Sequence, residues 1–145
     1  VQSYLLPDLM QEQATAANFD GKLRAVVVED KGGGTTAIQT LRATAPAWLA
    51  NMIQEFEPTG TKEYRARQAA IWCARLCILL PWPDENAPWL YAFADPLVGQ
   101  LFQFPNGAND DMVDTFSMGT IYLEPILAEG WQARQGQRAQ ASPEE

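Results

Sequence analysis

Apolar and polar positions alternate along the chain in blocks of helical and strand-like period. Leu5, Leu6, Leu9, Met10 and Ala14 form one apolar stripe, which predicts a helix over Tyr4 to Asn18 with Pro7 in its first turn. Leu23 to Val28 is a short run rich in branched residues, as in a strand covered on both faces. It stops at Glu29-Asp30-Lys31-Gly32-Gly33-Gly34. A helix containing Ile38 and Leu41 then follows, which Thr35 or Thr36 is placed to cap. Beyond Pro46, a second strand is predicted over Ala50 to Phe56, and Pro58-Thr59-Gly60 reads as a turn. Lys62 to Arg75 reads as a helix and Leu76 to Leu80 as a third strand stopped by Pro81-Trp82-Pro83. Ala87 to Phe104 and Asp110 to Glu124 read as two further helices, with a loop at Pro105-Asn106-Gly107 and an end or kink at Pro125. The polar residues from about 131 to 145 predict a flexible tail.

Strand, helix, strand, helix, strand and two helices make an α/β pattern. Three strands are few for such a sheet, so it is expected to be incomplete at its N-terminal side. A chain of 145 residues suits one core, taken as residues 1–130. No apolar run approaches the roughly 20 residues that a bilayer span requires. With no secretory signal visible, a cytoplasmic protein is expected.

The formal net charge of -8 disfavours a generic nucleic-acid binder. The absence of histidine excludes Ser-His and Cys-His catalysis and the usual zinc sites within this chain, leaving carboxylates, Lys, Tyr or Cys for any chemistry. Cys73 and Cys77, four apart on one helical face, read as small core residues.

Three constellations stand out. Asn109-Asp110-Asp111-Met112-Val113-Asp114 clusters carboxylates at a predicted helix start. Asp110 there can simply cap a solvated first turn, or the cluster can hold a hard divalent cation such as Mg²⁺. Glu29-Asp30 ends the first strand at the sheet's carboxyl edge, where α/β proteins place ligands, although alternation points the two side chains apart. The glycines that follow complete neither a P-loop nor a dinucleotide fingerprint. Lys62, Arg65 and Arg67 open a helix, and Lys62 and Arg65 share a face that can meet phosphate, the acidic cluster or water. Trp82, Trp89, Tyr91 and Phe93 read as packing rather than a base-stacking platform.

Several blocks together resemble the nuclease domain of bacteriophage terminase large subunits. Val26-Val27-Val28-Glu29-Asp30-Lys31 with Gly34, Ile38-Gln39 and Leu41 is similar to one block of that family. Thr59-Gly60-Thr61-Lys62 with Arg65 is similar to the next. Ala87-Pro88-Trp89-Leu90, Phe102-Gln103-Phe104-Pro105-Asn106-Gly107 and Asp110-Asp111-Met112-Val113-Asp114 resemble its C-terminal signature, in order. The likeness runs from about Leu23 to Leu123.

The resemblance implies a ribonuclease H-like sheet with flanking helices and cleavage of concatemeric double-stranded DNA during packaging, in the host-cell cytoplasm. It also implies two Mg²⁺ or Mn²⁺ ions ~3.5–4 Å apart. Glu29 and Asp111 are the implied catalytic ligands, Asp110 and Asp114 further metal ligands, and Lys62 and Arg65 DNA contacts. Implied partners are a portal or capsid assembly and the small terminase subunit. The family's His before the paired aspartates is Asn109 here. Its first catalytic Asp lies upstream, where Asp8 sits in a predicted helix and Asp20 in a turn. The chain is therefore expected to be the C-terminal part of such a domain, without the ATPase motor, and prone to self-association through an open sheet edge. The alternatives are a non-catalytic interaction module derived from a terminase, or another ribonuclease H-like nuclease such as a junction resolvase.

Overall fold

The computed structural model describes residues 6–18, 20–80 and 94–141. Its elements are α1 (Leu6–Ala17), β1 (Val26–Glu29), α2 (Gly33–Thr44), α3 (Ala47–Ala50), β2 (Ile53–Phe56), α4 (Lys62–Ala74), α5 (Ala94–Gln103), α6 (Asp111–Tyr122) and α7 (Glu124–Ala141). The protein is mixed α/β, mostly helical, with one small parallel sheet. It divides into two compact units, Val1–Pro58 and Thr59–Glu145, where a single core was expected.

In the first unit, β1 pairs in parallel with β2, Val26 opposite Ile53 and Glu29 opposite Phe56. Parallel neighbours need a crossover, and α2 and α3 provide it. Ala14, Val28, Ile38, Leu41, Leu49 and Ile53 form the core, with Met10, Leu23, Val26 and Trp48 packed around it. Burying each large aliphatic side chain there contributes about 1.5–3 kcal/mol. The step from β1 into α2 is tight. Gly32 sits at the N-cap with φ 56°, and a Cβ on Gly34 would collide with the Glu29 carbonyl oxygen. The predicted threonine cap is not used: Thr35 donates its hydroxyl back to Asp30 Oδ1 at 2.7 Å.

In the second unit, α4 makes its main packing contact with α6. Arg65, Ala69 and Trp72 are buried on α4, and Val113, Ser117 and Thr120 on α6, each at i, i+4, i+7 spacing. The buried hydroxyls are satisfied within the helix, Ser117 donating to the Val113 carbonyl at 2.6 Å and Thr120 to that of Phe116 at 2.8 Å.

Two expectations are corrected here. Leu76 to Leu80 forms no strand: the described sheet has two members, and Leu76 and Leu79 are exposed. An apolar run of that length does not identify a ladder partner by itself. The expected tail is helical through Ala141, because Pro125 falls in the first turn of α7, where its missing N–H costs nothing. The helix predicted from Ala87 is described from Ala94. Trp82, Trp89, Tyr91, Phe93 and the Ala87-Pro88-Trp89-Leu90 block lie outside the described residues, as do residues 142–145.

A candidate carboxylate and cation site between two helix starts

Thr61 caps α4, its hydroxyl accepting from the Tyr64 N–H at 3.2 Å. That start is aimed by Gly60 (φ 72°), whose carbonyl accepts from Arg65 Nη1 at 2.8 Å. Lys62 and Arg65 therefore leave the first turn of α4 on the face that meets α6.

The acidic cluster opens α6. Asp110 occupies the N-cap position, yet its side chain makes no capping hydrogen bond. Gln100 of α5 covers the helix end instead, its Oε1 accepting from the Met112 N–H at 3.0 Å. The Asp110 carboxylate is thereby available to Lys62, whose Nζ donates to Oδ1 at 2.7 Å. Asp111 stands 3.8 Å from the same ammonium, with its side chain 95% exposed. These carboxylates hold the Lys62 ammonium above its ordinary value of 10.5. The Asp110 hydrogen bond is the main cause, burial opposes it, and the charges of Asp110, Asp114 and Asp111 add to it.

Asp114 has a different environment. Arg65 grips it with Nε to Oδ1 at 2.9 Å and Nη2 to Oδ1 at 2.6 Å and Oδ2 at 2.9 Å. The two side chains are only 8% and 12% exposed, so this is a buried, two-pronged ion pair. Arg65 is spent on Asp114 and the Gly60 carbonyl rather than presented to a phosphate. Asp114, similarly, is the anchor of α4 on α6 rather than an open metal ligand.

The structure thus brings Lys62, Arg65, Asp110, Asp111 and Asp114 together, leaving Asp111 exposed and Asp110 half-buried against Lys62. Glu29 belongs to the other compact unit, half-buried at the end of β1. Among the described residues, no group of three or more His, Cys, Asp or Glu side chains is arranged to hold a metal ion. The exposed Asp111 carboxylate, with Asp110 beside it once released from Lys62, suits one in chemistry: Mg²⁺ is commonly held by one or two carboxylates and completes its shell with waters and substrate phosphates. Asp111 also borders an open apolar hollow with Leu97, Met112, Thr115 and Phe116. Sequence reasoning missed Gln100, because a side chain capping a helix from another element leaves no local pattern. No family model matches the chain, and no match is found among curated proteins or solved structures.

Proposed function

We propose that this chain carries part of a terminase-type, ribonuclease H-like nuclease that cuts double-stranded DNA with a divalent cation. The observation supporting the reading is convergence. Thr61-Lys62 with Arg65 and Asp110-Asp111 with Asp114 resemble two separate family blocks, and their side chains bond across 48 and 49 residues of sequence. Asp110 and Asp111 are the residues that would hold Mg²⁺ or Mn²⁺. Such an ion, when bound, supplies polarisation of the phosphodiester and an acidified water.

The protein's own groups divide the remaining work. Arg65 and Asp114 fix α4 against α6, which sets the spacing of the two helix starts. Lys62 orients the Asp110 carboxylate and places a positive charge beside two negative ones, limiting the repulsion that adjacent anions suffer without a ligand. The N-terminal end of α6 adds its own partial positive charge. DNA, a portal or capsid assembly and the small terminase subunit follow as partners in the host-cell cytoplasm from the resemblance alone.

One observation favours a second reading. Lys62 already neutralises Asp110, as in an ion-paired surface that serves docking without catalysis. Plasmid nicking with Mn²⁺ separates the two. Under the nuclease reading the wild type nicks, and Asp111→Ala loses roughly 10–100-fold or more, as loss of a metal-site residue does. Glu29→Ala tests the second ligand assigned by resemblance. Equal nicking by all three proteins would remove the proposed site, no nicking by the wild type would remove the nuclease assignment, and binding to a portal or capsid without cleavage would favour docking.

A further inference from the structure

A second cationic feature lies at the opposite end of α4. The helix closes with Leu76 in the left-handed region (φ 54°) and the Cys77 N–H bonded back to the Trp72 carbonyl at 3.0 Å. That is a Schellman ending, in which glycine is the usual residue and a leucine is strained. The strained turn is held by Arg134 of α7, which donates to the Leu76 carbonyl at 3.2 Å and to Cys77 Sγ at 2.7 Å.

The same arrangement stacks arginine on tryptophan. The Arg75 guanidinium lies 4.9 Å from the Trp72 ring centre and 5.3 Å from that of Trp131, and Arg134 lies 5.6 Å from Trp131. A cavity of about 140 Å³ opens between them, lined by Arg75, Leu76, Trp131, Arg134, Gln135 and Arg138. No acidic side chain lines it among the described residues, in a chain whose formal net charge is -8. The Arg75 side chain makes ring contacts but no hydrogen bond or ion pair among the described residues. Two tryptophan rings hold the guanidinium while its N–H groups meet no acceptor among the described residues, which is the state that suits two-pronged binding of phosphate. Trp131 already holds two guanidiniums, so it serves as their support rather than as a platform for a base.

We propose that Arg75, with Arg134 beside it on Trp131, forms a phosphate-binding site for the backbone of duplex DNA. The phosphate chemistry stands on the arginine–tryptophan stack; the choice of duplex DNA rests on the nuclease reading above. Binding of the full chain to a labelled duplex is measured by fluorescence anisotropy in EDTA, where no metal-dependent cleavage occurs, over a series of salt concentrations. Arg75→Gln should weaken binding about tenfold and lower the slope of log affinity on log salt by about 0.9, the loss of one phosphate contact. Arg75→Lys, which keeps the charge without the planar fork, should fall between. Arg75 is exposed, so neither variant should disturb the fold, and circular dichroism checks this. A parallel arm titrates inorganic pyrophosphate. Arg75-dependent binding of pyrophosphate without binding of duplex would overturn the DNA assignment in favour of a free anion. Unchanged affinity and slope in Arg75→Gln, or no duplex binding by the wild type, would overturn the proposal whatever the nicking assay shows.

Discussion

Arg65 and Asp114 illustrate how one buried pair governs its neighbourhood. Removing one partner strands a charge with little access to water, so Arg65→Met is expected to cost about 3–5 kcal/mol. Replacing both, as Arg65→Met with Asp114→Leu, should recover most of that loss, because it removes the uncompensated charge. Urea unfolding of the two variants checks this; equal destabilisation by both would place the cost in packing rather than charge. Lys62 responds to pH in a defined direction. Its pKa is higher folded than the ordinary 10.5, so its contribution to stability is fully present below 10.5 and is lost as pH rises through the raised folded value. The side chain is 39% exposed, so solvent screening keeps this contribution small. The stability difference between wild type and Lys62→Met should be constant at neutral pH and shrink in strong alkali. A difference that grew with pH would contradict the ion pair.

At the scale of elements, local pattern read well wherever residues carried their own reason for a conformation. Val26-Val27-Val28 are β-branched and form β1; the helix predicted from Lys62 begins there as α4; Pro7 sits in the first turn of α1. The reading failed where a distant partner decides. Leu76 to Leu80 is as apolar as a strand, but its start is fixed by Arg134, 57 and 58 residues further on. Residues after 131 are polar enough for a tail, yet α7 continues, with Trp131 contacting Arg75. The β1–α2 step gives a prediction of its own. Gly34→Ala should destabilise the first unit by about 1–3 kcal/mol, since backbone rather than a flexible side chain must move to admit the methyl group. Thermal unfolding measures it, and a neutral result would mean that the turn relaxes freely.

Over the whole molecule, the expected single core resolves into two compact units, and the residues resembling nuclease blocks are divided between them. The acidic cluster was legible because three aspartates within five positions are conspicuous. Which cation meets which carboxylate was not, since the pairs span 48 and 49 residues. The structure separates the cluster into an architectural member, Asp114, a half-buried member paired with Lys62, Asp110, and an exposed member, Asp111. The central claim is that these two form a site for a hard cation. Calorimetric titration with Mn²⁺ tests it most directly, comparing the wild type with Asp111→Asn. One saturable site in the wild type, weakened roughly 10–100-fold in the variant, is the predicted result. No saturable binding, or the same isotherm for both proteins, would contradict it.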